Sequence, residues 1–290
     1  MSPPLRPNLR PHIGWIGLGL GLGLALTCAM QSPAQAAPEA VPAAGLTAAQ
    51  VQTYREGPGR QRWRDAAAQM AQLRQAPPNP AMADLWRALD AGVNRSSGTH
   101  PLASATTAQS LPELEGKTAW LRGQVLGGQA DGRYSYAYAF NLARLGRFGD
   151  HLMEAAIFLA HGRLAMQIDT DRCTDPNVAM DTMAEQEKQA LMRGMDSAIQ
   201  TLTPRQQATA LLEAVVLEDT LGERPPQAWL CAVSLAPSHL TEVQTPKGDV
   251  GRTFVLNPPQ ASTLFVDEAT WRAARHQRLD KMAQSLLPNL

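Results

Sequence analysis

Cysteine is scarce in this chain: its 290 residues hold three, Cys28, Cys173 and Cys231. No two of them form a CxxC pair, which excludes zinc-ribbon and dithiol redox sites of that spacing. Aromatic residues make up only 5% and charged residues 18%, below the roughly 25% charge usual in globular chains. Net charge is missing as well, since 26 Lys plus Arg face 26 Asp plus Glu. Such a balance provides no general affinity for phosphate backbones or anionic lipid, so neither nucleic acid nor an acidic membrane surface is expected as a partner. No nucleophile elbow, P-loop, HExxH helix or cysteine nucleophile with a partner is visible. The 44% hydrophobic content excludes intrinsic disorder and suffices for one large core or two modest ones, without a membrane bundle.

What is present begins with an export signal. Arg6, Arg10 and His12 precede an uncharged run from Ile13 to Met30 and then small residues, the order a secretory leader requires. Ala34-Gln35-Ala36 puts small side chains third and first before a cut, predicting cleavage ahead of Ala37 and a signal peptide over 1–36. A retained anchor is the alternative, and the repeated glycines from Gly14 to Gly23 weigh against it because they make a poor permanent helix. They are not a dinucleotide loop either, having no strand before them. Cys28 follows Leu26-Thr27, where a lipobox needs small residues, so lipid attachment is not expected. Loss of Arg6 and Arg10 leaves 26 − 2 = 24 basic residues against 26 acidic ones. Outside the cytoplasm, in the periplasm or medium, the two remaining cysteines predict a Cys173–Cys231 disulfide. Closing a loop of 58 residues stabilises a fold by roughly 4 kcal/mol in the chain-entropy picture.

The mature chain reads as mainly α: an irregular helical bundle or hairpin array with a small C-terminal β-hairpin and a terminal helix. After a flexible lead-in over 37–46, Thr47 and Gln50 have capping-box spacing and start a helix. Gly57-Pro58-Gly59 interrupts it, and a second helix with Trp63, Ala67, Met70 and Leu73 runs to Pro77-Pro78-Asn79-Pro80. A short third helix carries Leu85, Trp86 and Leu89. The Ser, Thr, Ala and Pro content of residues 94–116 reads as a mobile spacer, and Asn94-Arg95-Ser96 within it has the form of a glycosylation sequon.

Tyr134, Tyr138, Leu142 and Leu145 follow helical spacing ahead of Gly146 and Gly149, and the stripe Leu152, Ala155, Leu159 and Met166 continues as the return arm of an antiparallel hairpin. This pair shares Gly146, Leu142 and Leu145 with a tetratricopeptide hairpin, but Phe158 stands where that repeat needs a small residue, and no copy recurs about 34 residues away. Asp175-Pro176 starts a helix to about Leu202, and Thr203-Pro204-Arg205-Gln206 starts another that ends at Gly222. The domain therefore spans 47–222, and 223–290 forms a C-terminal subdomain. In it, Thr253–Leu256 and Ser262–Val266 are expected to pair around Asn257-Pro258-Pro259, and Asp267 caps a final helix.

Asp150, His151, Glu154 and His161 are the residue types zinc or iron would use, but His161 lies about 280° around the helix from His151 and nearly three turns on, beyond one ion's reach. Asp169, Asp171, Cys173 and Asp175 alternate like a calcium loop, yet Thr174 and Met180 occupy its glycine and glutamate positions. No metal and no cofactor are expected. Glu213 and Glu218 lie in an apolar helix, where burial raises a carboxyl pKa and suits it to general-acid cleavage of a glycan; with Glu154 they are the catalytic candidates. Arg272, Arg275, Arg278 and Lys281 form a basic stripe opposite Trp271 and Met282, the candidate docking surface for an acidic partner.

These patterns point to an exported helical binding or assembly module without catalytic activity, engaging an envelope protein. The alternative is a cell-wall glycan or peptide hydrolase working through buried carboxylates.

Overall fold

The computed structural model describes residues 46–95, 102–145, 148–175, 180, 195–231, 240–243, 253–256 and 264–290. The expected leader and cut site, Cys28, nearly all of the expected lead-in, Ser96 of the sequon, and most of the helix expected from Asp175 to Leu202 lie outside the described residues.

The fold is mainly α. Helix α1 (Ala48–Glu56) opens on the capping box, with Gln50 N donating to Thr47 Oγ1 and Thr47 N to Gln50 Oε1 at 2.8 Å. Gly57 ends it, and Pro58, which lacks the amide a first-turn residue would leave unused anyway, starts α2 (Pro58–Gln75). Asn79 Oδ1 accepts from Met82 N at 2.8 Å at the start of α3 (Pro80–Arg95). A short α4 (Ala103–Thr106) and a long α5 (Leu111–Leu126) follow.

Residues 94–116 are therefore not a spacer throughout: α4 and the first turns of α5 lie inside that segment, and Ser110 caps α5 by accepting from Glu113 N. Helix α5 is covered on several faces at once. Leu114, Thr118, Trp120, Leu121 and Val125 are all buried, and so is Lys117, which pairs with Glu113.

Helices α6 (Gly132–Arg144) and α7 (Phe148–Thr170) form the expected antiparallel pair at the centre of the core. Their approach is set by glycine, since a Cβ on Gly132 would sit 2.5 Å from the Gly162 carbonyl oxygen and 2.6 Å from Met166 Cγ. Any side chain there would force the helices apart. Helix α8 (Met195–Ile199) leads to α9 (Pro204–Leu221), which lies against α7 and α2 and opens on the Thr203–Gln206 capping box. It ends at Gly222, whose φ of 76° with ψ of −145° is a conformation that residues with a Cβ rarely adopt.

Helix α10 (Ala228–Cys231) delivers Cys231 to Cys173, and the disulfide forms as expected. The hairpin expected between Thr253–Leu256 and Ser262–Val266 is not found among the described residues, which leave out 257–263. Strand β2 (Thr253–Leu256) runs antiparallel to β1 (Leu240–Val243), and Phe265 makes an isolated bridge to Cys173. The chain before the last helix is held by Thr174 N donating to Leu264 O and Val266 N to Arg172 O. Leu264, Phe265 and Val266 thus find their partner just after α7, at a residue the disulfide already fixes. Helix α11 (Glu268–Ser285), capped by Asp267, carries Trp271 into the core, where its Nε1 donates to Ile168 O at 3.1 Å.

Candidate functional site

The last turns of α7 and α9 meet around one side chain, Arg224, in the coil after Gly222. Its Nε donates to Asp169 Oδ2 at 2.9 Å, its Nη1 to both Glu218 oxygens at 3.0 and 2.8 Å, and its Nη2 to Ala165 O at 2.8 Å. A guanidinium is suited to this, because its fork of donors can serve two carboxylates and a carbonyl at once. Two further arginines close the junction. Arg275 of α11 donates to Glu218 O and Gly222 O at the end of α9. Arg172 donates to the Arg224 carbonyl and lies over the Trp271 ring at 3.4 Å. Helix C-termini carry unpaired carbonyls and partial negative charge, so cations placed there complement both.

Burial alone would push the Glu218 carboxyl up, but Arg224, His161 and Arg275 together hold its pKa down to about 2. Asp169 goes the other way: burial dominates the opposing pull of Arg224 and, helped by the Glu218 and Asp131 charges, lifts it to about 6. Glu218, expected to be a proton-bearing general acid, is therefore a locked anion. Its 0% exposure matches the expected burial, while its protonation state is the opposite of the expected one.

Glu218 also ends a chain that the sequence does not disclose. Ser135 Oγ lies 2.8 Å from His161 Nδ1, and His161 Nε2 lies 3.2 Å from Glu218 Oε2. The order is that of a serine hydrolase triad, contributed by α6, α7 and α9. However, Ser135 is 0% and His161 2% exposed, so no substrate reaches the hydroxyl. Sealed in this way, the three side chains form a core relay of close polar contacts, in which the Ser135–His161 pair is the hydrogen bond. The sequence signal is present in Gly132 and Gly162, the glycines that bring Ser135 and His161 together, but their pairing is visible only after folding.

The remaining candidates separate in space. Glu213 is buried and accepts from the Tyr54 hydroxyl, from Arg62 Nη2 at 2.7 Å and from Trp63 Nε1 at 3.0 Å, tying α9 to α1 and α2. Glu154 accepts from the Tyr138 hydroxyl at 2.7 Å and lies 3.4 Å from Arg122. Neither has a second carboxylate beside it in these contacts. Of the metal-like set, His161 faces the core relay and Glu154 faces Tyr138; of the calcium-like set, Asp169 serves Arg224, Asp171 accepts both Arg278 bonds at 2.6 Å, and Cys173 is in the disulfide. No metal-holding cluster exists among the described residues.

The basic stripe is largely spent on the fold. Arg275 is buried in the junction, Arg278 is paired with Asp171, and Arg272 makes two bonds to Glu223 at 2.6 and 2.9 Å. What α11 does offer is a cleft on each flank. One, of about 500 Å³, is lined by Asp171, Gln277, Arg278, Lys281, Met282 and Ser285. The other, of about 360 Å³, lies between α11 and α1 beside Val51, Gln52, Arg55, Asp280 and Leu287. Among the described residues no helix is long and apolar enough to cross a membrane. Comparison with known protein families, with curated proteins and with solved structures finds no match for this chain.

Proposed function

We propose that this chain is an exported, non-catalytic helical binding or assembly protein, and that its partner face is α11 with the two clefts beside it. The observation that carries the reading concerns the carboxylates. Glu213 and Glu218 are engaged by arginine and other fixed donors in the core, Glu154 by Tyr138 and Arg122, and none of the three borders either cleft. General-acid work needs a proton-bearing carboxyl facing a substrate. The carboxylates that do line the clefts, Asp171 and Asp280, are paired with Arg278 and Arg55, and around them lie amides, a hydroxyl, methionine and leucine side chains and the Lys281 ammonium, the mixed polar and apolar lining of a protein-recognition surface. A buried disulfide between Cys173 and Cys231 supports a location outside the cytoplasm.

Two measurements test this. A photo-crosslinking residue placed at Gln277, Lys281 or Gln284 in producing cells is expected to give a discrete adduct, while the same residue at exposed Gln69 on α2 gives none. Activity on purified cell wall that vanishes in Glu213→Gln or Glu154→Gln would replace the binding reading with the hydrolase.

A further inference from the structure

The Arg224 junction has one guanidinium for two buried carboxylates. Glu218 takes both bonds from Nη1 and also faces His161 and Arg275, whose Nε lies 3.5 Å from Glu218 Oε1. Asp169 receives a single bond, from Arg224 Nε to Oδ2, and its Oδ1 has no hydrogen-bond partner among the described residues although the residue is 1% exposed. The charges around Asp169 are of both signs, with Arg224 and Arg172 offsetting its own and Glu218 and Asp131 opposing it. The coil after α9 contributes Arg224, α9 contributes Glu218, the turn before α6 contributes Asp131, itself paired with Arg133, and the end of α7 contributes Arg172. An anion left half-paired in the core, facing two other carboxylates, is costly, and taking up a proton removes the cost.

We propose that Asp169 is a proton-dependent latch that fastens the Gly222–Cys231 segment to the end of α7 more firmly in mildly acidic than in neutral surroundings. The segment carries Arg224 and Cys231, and Gly222 O receives Arg275 of α11, so the latch also sets how firmly α11 is seated. Its sign follows from the two states. Closed, the Asp169 carboxyl titrates at about 6; opened to water, it returns to an ordinary aspartate value near 4. Closing therefore takes up a proton between roughly pH 4 and 6, is most favoured below that window, and weakens as pH rises through it, levelling off above pH 6. Glu218 adds no slope there, because its own window lies below its ordinary carboxyl range.

Amide hydrogen exchange of the full, disulfide-bonded chain, corrected for intrinsic rates, reads the latch directly. Gly222 N bonds to Glu218 O and Leu230 N to Gln227 O, and both amides are expected to open roughly 25-fold more often at pH 7.5 than at pH 4.5. Asp169→Asn, neutral and of the same shape, is expected to flatten that dependence. His161→Gln, which removes the imidazole beside Glu218, is expected to keep it. A flat profile in the wild-type chain overturns the latch without any variant. A slope that survives in Asp169→Asn, or disappears in His161→Gln, assigns the proton elsewhere and overturns it as well.

Discussion

Arg224 shows how a residue's neighbours reverse what its type suggests. A buried arginine is costly alone, yet here burial is outweighed by Glu218 and Asp169, which push its pKa up. Removing one partner from such a network leaves the others as uncompensated charges, at a typical cost of about 3–5 kcal/mol. Arg224→Ala is accordingly expected to lose stability of that order in urea unfolding, and Arg224→Lys most of it, since an ammonium cannot serve Asp169, Glu218 and Ala165 O together. Glu218 gives a pH prediction of the opposite sign to Asp169. Its folded pKa of about 2 lies below its unfolded value, so the stability it contributes is present above roughly pH 4.5 and is lost as pH falls toward 2. Urea midpoints measured from pH 5 down to pH 2 should fall steeply in the wild-type chain and less steeply in Glu218→Gln, which starts from a lower value. Burial of Glu213 and Glu218 is legible from their apolar surroundings. The charge state of Glu218 is not, because it depends on arginines and a histidine brought from other elements.

At the scale of elements, the boundaries written in local chemistry are legible. Thr47, Thr203 and Asp267 cap three helices through bonds within four residues, and Gly222 stops α9 because few other residues accept its backbone angles. The start of helix α5 is obscured because its first turns continue the Ser-, Thr-, Ala- and Pro-rich composition of the segment before it, although Leu114, Thr118, Leu121 and Val125 keep helical spacing, and the expected β-hairpin is misplaced because a short apolar strand does not name its partner. The α6–α7 contact makes a prediction about small residues. Gly132→Ala places a methyl group against the Gly162 backbone and is expected to cost about 1–3 kcal/mol by overpacking, with the Ser135–His161 bond the first to lengthen. Gly92→Ala in α3 is the control: a Cβ there meets nothing within 4 Å, so the better helix propensity of alanine should leave stability unchanged or about 1 kcal/mol higher. Thermal unfolding of both variants separates steric crowding from helix propensity.

For the whole molecule, the Cys173–Cys231 bond joins the end of α7 to α10, and the chain entering α11 is bridged to the same cysteine. The double variant Cys173→Ala, Cys231→Ala is expected to lose roughly 4 kcal/mol, with exchange protection falling first between Gly222 and Cys231 and in α11. A loss spread evenly over α1 to α9 would show that the bond supports the entire core instead of its C-terminal third. By itself the sequence determined helical class, most helix starts and stops, and the cysteine pairing. Each rests on interactions within a few residues, or, for the cysteines, on setting Cys28 aside with the expected leader. Tertiary structure alone decided that Ser135, His161 and Glu218 form a sealed relay, that Arg224 joins two carboxylates, and that the basic stripe of α11 is consumed by Glu218, Glu223 and Asp171. Coulomb and hydrogen-bond energies depend on distances between residues far apart in the chain, 159 positions for Tyr54 and Glu213, and those distances exist only once glycine contacts and apolar burial have set the helices against one another.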